Sequence, residues 1–474
     1  MPEEIKPVKD LAIENKQLFI NNEWVNSVSG KVFPTVNPAT AEKITDIQEG
    51  DKADVDKAVA AAKVAFKRGS KWRNMDASDR VLLLNKLADL LEADLAAFAT
   101  LETLDNGKPF CDSIIDMRTS VKFLRGLAAF ATSICGKTVP VDGDFLCYTK
   151  FKPLGVVGAI LPWNFPLVLL CNKLGHALAA GCTMVIKPAE TTTLTALRFC
   201  TLIIKAGFPP GVVNVVPGYG PTVGAAIASH PDIAKVSFTG STGVGRLVMK
   251  AASESNLKRV TLELGGKSPN IVFSDADVDL ATEMAYQGAF VNSGQCCIAG
   301  QRVFVHEDIH DEFQKRLMQR AKQRVIGDPF DPKVNAGPQI NDIQQNKIVD
   351  LLESGADEGA CLLMGGDKAD GKGYFVETTV FIDVKDDMRI AKEEIFGPVV
   401  MLFKFKTIEE VIERANNTHY GLAAGIFTKD LGTAVRCANE LEAGTVWVNT
   451  YFQIQPYAPF GGFKMSGFGR EMYE

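Results

Sequence analysis

The sequence predicts an α/β protein of two layered domains, the first doubly wound around a largely parallel sheet. Three observations predict it. Short β-branched and apolar runs alternate with helical stretches through the middle of the chain. A second such alternation begins near Asn270, and 474 residues exceed one typical compact domain. The first domain is assigned residues 1–130 and 154–265 and the second residues 266–452; residues 131–153 and about 453–474 remain as a projecting arm and a C-terminal segment.

In chain order, residues 51–67 read as an amphipathic helix with Val55, Ala58, Val59, Ala62 and Phe66 on one stripe. A second helix is predicted over 77–97, with Leu83, Leu84, Leu87, Leu90 and Leu91 inward. The stretch Gly136–Lys152 alternates around a Pro-Val-Asp-Gly turn and reads as a hairpin whose open edges a partner subunit would cover. Then come four strands, GVVGAI (155–160), CTMVI (182–186), VVNVV (212–216) and KVSF (235–238), separated by helices over 173–180, 193–206 and 221–229. The second alternation runs through NIVF (270–273), 302–305, 399–405 and 444–448.

Composition narrows the function. A net charge of −6 leaves no basic footprint for nucleic acid, and no apolar run approaches the roughly 20 residues that span a bilayer. The N-terminus has neither the apolar core of a signal peptide nor an Arg-rich transit character. Ten cysteines without a C-x-x-C pair read as free thiols in a reducing cytoplasm, and five scattered histidines predict no metal site.

Five short motifs carry chemistry. FTGSTGVG (238–245) puts three glycines between a strand and a helix start, where Gly240 and Ser241 suit a pyrophosphate; its G-x-x-G-x-G spacing is not the usual Rossmann fingerprint, and taken alone it more often marks a plain strand–turn–helix. Lys187 and Glu190 follow the strand CTMVI, where a carboxylate accepts from ribose hydroxyls and repels a 2′-phosphate, favouring NAD over NADP. Glu263 in LELGG sits among apolar and glycine neighbours that raise a carboxyl pKa and suit a general base. GQCC (294–297) supplies two adjacent thiols, Cys296 and Cys297, either of which is a nucleophile in principle. Asn164, in the Trp163–Pro166 segment after GVVGAI, can donate to a developing oxyanion. Together, a thiol, an amide donor, a poised carboxylate and a dinucleotide site suffice to oxidise an aldehyde.

At this point the chain resembles the NAD-dependent aldehyde dehydrogenases of the cytosolic and mitochondrial type, including the retinal dehydrogenases. LFINNEWV, PWNFP, KPAE, FTGST, LELGGKSP, GQCC, EEIFGPV and PFGGFKMSG carry the likeness, from about Leu18 to Glu471. The resemblance implies a Rossmann-type coenzyme domain, a catalytic domain and a hairpin oligomerisation arm. It selects Cys297 as nucleophile, Asn164 with the Cys297 amide as oxyanion hole, and Glu263 as base for thioester hydrolysis. Lys173 and Glu471 match a proton relay. For NAD it implies Lys187 and Glu190 at the adenosine ribose, Gly240 and Ser241 at phosphate, Glu394 at the nicotinamide ribose, and Trp163 and Phe396 near the nicotinamide. Phe165, Leu169, Asn172, Cys296, Ile298, Phe452, Ile454 and Phe460 would line the substrate funnel.

The chain departs from that pattern at several positions. Gly243 stands for a usual Glu, His176 for a usual Pro, and Asn172 for a common Trp, the last expected to widen the funnel entrance and make it more polar. Relatives continue for a further strand beyond Gly-Arg-Glu, so the resemblance leaves dimer and tetramer both open. A small aldehyde and further copies of the chain are the implied partners. A second reading keeps the fold without turnover, as a crystallin-like structural protein; a third is a semialdehyde or betaine-aldehyde dehydrogenase, for which neither a substrate-binding Arg nor an aromatic cage stands out.

Overall fold

The computed structural model describes residues 5–472. Two sheets organise the chain. The first has eight strands in the order 467–468, 259–263, 235–239, 156–160, 183–187, 213–215, 18–20 and 23–25. Its five central strands are parallel, and antiparallel pairs close both edges. The second has seven strands, ordered 361–364, 379–382, 399–405, 302–306, 269–272, 423–427 and 445–448, all parallel except the first pair.

The sheets form because their strands are apolar on both faces and divide their side chains by the two-residue period. In Val156–Ile160, Val156 and Ile160 enter one core layer with Val55, Val59, Ile227 and Val248, whereas Val157 and Ala159 enter the opposite layer with Leu87, Leu124, Leu174 and Leu197. The second sheet repeats this. Ile271, Phe304, Met401 and Phe403 pack with Leu351 and Ile390, while Val272, Val303, Val305, Val400 and Leu402 face Ala285, Phe313 and Leu317. Each fully buried aliphatic or aromatic side chain contributes roughly 1.5–3 kcal/mol.

Several boundaries differ from the sequence reading. The helix predicted to begin at Lys173 begins at Pro166 and runs to Ala179, because a proline at the first helical position needs no N–H partner; read as a turn, PWNFP hides the helix start. The helix predicted over 77–97 stops at Ala93, and a new one runs Leu95–Asn106 until Gly107 closes it at φ +87°. The long helix Phe110–Phe130 has no counterpart in the sequence reading, since Ser113, Asp116 and Ser120 are buried on its apolar face and obscure the stripe. On Lys52–Phe66 the predicted stripe is buried except Phe66, which is half-buried beneath the Arg73 guanidinium.

The predicted hairpin over 136–152 forms strands at Thr138–Val139 and Cys147–Tyr148, extended by the Thr149 N–H donating to the Lys137 carbonyl at 2.8 Å. The C-terminal segment, expected apart from the two layers, instead adds Gly467–Phe468 antiparallel to Arg259–Glu263 at an edge of the first sheet. Register then fixes what faces what. Ile160 lies opposite Lys187 and Phe238, and Thr239 opposite Glu263, so the carboxyl ends of four parallel strands lie together. Open parallel sheets bind ligands along that edge.

Candidate active site

The sulfur of Cys297 sits on a loop folded against the grain of its sequence. After the helix Val278–Phe290, Asn292 and Ser293 take positive φ and Gly294 follows at +74°. Three side-chain bonds secure this backbone. Ser293 Oγ donates to the Gly337 carbonyl at 2.7 Å, Gln295 Nε2 donates to the Pro338 carbonyl at 3.2 Å, and Gln295 Oε1 accepts from the Ile340 amide at 2.9 Å. Gly266 closes the other side: a Cβ there would lie 2.2 Å from the Cys297 carbonyl oxygen, so only glycine lets the two loops meet. A hydrogen bond with Cys296, then burial, pushes the Cys297 thiol well above its ordinary range.

Asn164 approaches from the end of Val156–Ile160. Its Nδ2 donates to the Gln295 carbonyl at 3.0 Å, two residues before Cys297, leaving a second N–H on the same nitrogen. Its Oδ1 is buried and accepts no hydrogen bond from the described residues.

Glu263 stands at the end of Arg259–Glu263, two strands across the sheet, beyond Lys235–Thr239, buried, with Oε2 likewise unpartnered among the described residues. Burial pushes its carboxyl well up, Glu471 and Cys297 add to the rise, and Lys173 opposes it. A desolvated carboxylate takes up a proton more readily than an exposed one, which suits a general base. Behind it, Lys173 Nζ donates to Glu471 Oε1 at 2.5 Å and to Ser237 Oγ at 3.0 Å. Burial alone would raise Glu471, but the Lys173 ammonium, aided by the Ser237 hydroxyl, outweighs it and holds the carboxyl below the usual range.

The residues read as a dinucleotide cradle follow the same strand edge. Lys187 Nζ donates to Glu190 Oε2 at 2.9 Å, and Glu190 stays half-exposed with its second oxygen available. Gly240 and Ser241 precede the helix Thr242–Glu254, whose first turn Ser241 caps through Val244 N–H. A Cβ at Gly243 would meet nothing within 4 Å, so the helix start is open. Glu394 Oε1 accepts from the Gly266 amide at 2.9 Å, which ties the cradle to the Cys297 loop. Trp163 and Phe396 meet edge to face, centroids 5.4 Å apart. A half-exposed carboxylate paired with a lysine, a helix N-terminus with open space and a carboxylate beside the thiol loop fit NAD. Among the described residues no group of three or more His, Cys, Asp or Glu is placed to hold a metal ion.

Phe165, Phe452, Ile454 and Phe460 pack with Cys296, Cys297 and Ile298 around Trp447 and Tyr451, an apolar wall beside the thiol. Leu169 is half-buried on the Pro166–Ala179 helix. Asn172 does not line an entrance. It is buried, and its Nδ2 donates to Glu471 Oε2 at 2.6 Å, so replacing an aromatic there adds polarity to the Lys173–Glu471 pair and does not widen a funnel. Its helical position turns it inward, next to Lys173.

Sequence reasoning missed Ser237, Gln295, Asn292 and Lys108, all of which bond to the residues above. Gln295 lies inside the quoted GQCC motif, but its role as a brace depends on Pro338 and Ile340, which no local pattern brings near.

Comparison with known proteins agrees with this geometry. A model described as the Aldehyde dehydrogenase family matches residues 24–474. An aldehyde dehydrogenase of Enchytraeus buchholzi is 60% identical over 98% of this chain and 94% of its own length. Aldehyde dehydrogenase 1A1 of Oryctolagus cuniculus is 60% identical over 99% of this chain and 95% of its own. The NAD+ complex structure of aldehyde dehydrogenase from Bacillus cereus superposes with a TM-score of 0.96 at 48% identity, covering 99% of this chain and 96% of that one. With the family matched over nearly all its length and the thiol, amide and carboxylate gathered at one sheet edge, this chain belongs to the aldehyde dehydrogenase family.

Proposed function

We propose that the protein oxidises aldehydes to carboxylic acids with NAD and that Cys297, Asn164, Glu263 and the Lys173–Glu471 pair divide the work. The observation that supports this best is the approach of the Asn164 amide to the Cys297 loop, beside a buried carboxylate with a free oxygen. The Cys297 thiolate adds to the aldehyde carbon, and the carbonyl π pair moves to oxygen, where the Asn164 amide and the Cys297 backbone N–H stabilise the oxyanion. When bound, NAD supplies the two-electron acceptor and a cationic ring whose charge favours the thiolate. The oxyanion pair re-forms the carbonyl as the C–H bond pair departs, leaving a thioester on Cys297. Glu263 then takes a proton from water; the hydroxyl oxygen attacks the thioester, the C–S bond breaks and the thiolate is regenerated. Lys173 and Glu471 pass that proton away from Glu263. Glu190 and Lys187 hold the adenosine ribose, Gly240 and Ser241 a phosphate, Glu394 the nicotinamide ribose, and Trp163 with Phe396 flank the ring.

Self-association through the hairpin is part of the proposal. Phe145, Leu146, Tyr148 and Phe151 stand 65–79% exposed there, an apolar surface that a single chain leaves in water. A cytoplasmic setting fits ten cysteines that form no disulfide. Among the described residues no helix is long and apolar enough to cross a membrane.

The test mixes purified protein with NAD and a panel of aliphatic, aromatic and polyene aldehydes and follows NADH. No NADH from any of them, with no thermal stabilisation by NAD, would sink the reading.

A further inference from the structure

Lys108 is buried charge that the roles above do not use. It follows the left-handed Gly107 that ends the helix Leu95–Asn106, and its side chain is completely enclosed. The Nζ donates to Asp116 Oδ2 at 2.5 Å and to the Asn164 carbonyl oxygen at 3.0 Å, lies 3.5 Å from Glu102 Oε1, and sits 4.7 Å over the Phe165 ring. Burial pulls the ammonium down, but Asp116 and Glu102 outweigh it and keep it charged. Burial pushes Glu102 up to about 7.

Two neighbours act on the same short stretch. Asn292 Nδ2 donates to the same Asn164 carbonyl at 2.8 Å, and Asn106 Nδ2 donates to the Trp163 carbonyl at 2.8 Å. The Asn164 carbonyl thus receives two donors, one for each lone pair. Its side chain is held only at Nδ2, because Oδ1 has no partner among the described residues. The direction of the amide therefore depends on where the backbone is anchored. A buried charge cluster is poor evidence for stability, since removing charges from water costs about what their pairing returns. Placed against this one carbonyl, it acts as an anchor.

We propose that Lys108 is a positioning residue for the oxyanion hole: by clamping the Asn164 carbonyl, it sets the direction in which the Asn164 amide meets the substrate oxygen. The proposal rests on the assignment of Asn164 to the oxyanion hole. A displacement of about 1 Å at such a donor costs on the order of 100-fold in rate.

The test is a double-mutant cycle. Lys108→Met/Asp116→Leu/Glu102→Gln removes the ammonium together with both carboxyl groups that face it, so that none is left uncompensated; Lys108→Gln/Asp116→Asn/Glu102→Gln is the second set if the first does not fold. Each is made in the natural chain and with Asn164→Ala, and kcat, aldehyde KM and NAD affinity are measured. The expected result is a kcat lowered roughly 10- to 100-fold with NAD affinity retained, and a further loss below about 3-fold once Asn164 is already Ala. Unchanged kcat, an equal loss in both backgrounds, or a loss that follows NAD affinity would each overturn it. If Asn164→Ala alone keeps full kcat, the oxyanion assignment fails and this proposal with it, a result distinct from the others.

Discussion

His176 holds the backbone of Met472: its Nε2 accepts the Met472 N–H at 2.7 Å, while Nδ1 lies 2.7 Å from the Asn172 carbonyl. A carbonyl only accepts and an amide N–H only donates, so the ring is neutral, with its proton on Nδ1. The segment it holds carries Glu471, the partner of Lys173.

That tautomer predicts a pH dependence. Burial depresses the imidazole below its ordinary 6.5; Lys173 and Lys235 add to the fall, while Glu471 and the Asn172 carbonyl oppose it. A group with a depressed folded pKa contributes stability that is complete above 6.5 and is lost as pH falls towards the folded value. The midpoint difference between the natural protein and His176→Gln should therefore shrink between pH 8 and pH 5.5. At pH 8 the variant should lose about 1 kcal/mol. Melting curves at matched pH check this, and a difference that grows on acidification would refute it.

Glu263→Gln should separate the two halves of the reaction. The thioester forms but its hydrolysis loses its base, so one equivalent of NADH per site appears quickly and steady turnover falls roughly 100- to 10,000-fold. Stopped-flow absorbance reads both phases. Because the Glu263 carboxyl is raised, its stabilising contribution is complete below 4.5 and lost as pH rises through the folded value. The glutamine variant should accordingly melt higher than the natural protein at pH 8, by more than it does at pH 5.

The paired thiols are told apart by substitution. Cys297→Ala should abolish NADH formation, whereas Cys296→Ala should keep it and, by removing the bond that raises the Cys297 thiol, shift the acid side of the rate profile to lower pH. Activity surviving the first change but not the second would reverse the assignment.

Coenzyme choice should follow Glu190. Its half-exposed carboxylate stands beside Lys187, and in the proposed role it would accept from ribose hydroxyls and repel a 2′-phosphate. Glu190→Ser should weaken NAD and improve NADP, narrowing the ratio of their kcat/KM values about 10-fold or more, roughly one desolvated charge contact. Initial rates with both coenzymes decide it.

Much of this protein is written locally. Runs such as VVGAI and TMVIK are apolar on both faces, and that alone calls for a parallel sheet with helices on each side. Cys297, Asn164, Glu263 and Lys187 each sit in short segments whose composition announces a thiol, a donor, a desolvated carboxylate or a strand-end cation. What pattern could not show was direction and distance. Asn172 shares a helix with Lys173, and only packing against the C-terminal segment turns it towards Glu471 and away from an entrance. Lys108 is an ordinary charge in the sequence, and becomes a clamp because the chain returns to lay the Asn164 carbonyl 3.0 Å from it, 56 residues on. Edge pairing of Gly467–Phe468 with Arg259–Glu263 places Glu471 behind Glu263 in the same way. Short-range preference and periodicity depend on neighbouring residues and so can be read along the chain. Hydrogen bonds between distant segments exist only once the cores of both sheets have closed, and these decided how the site is braced.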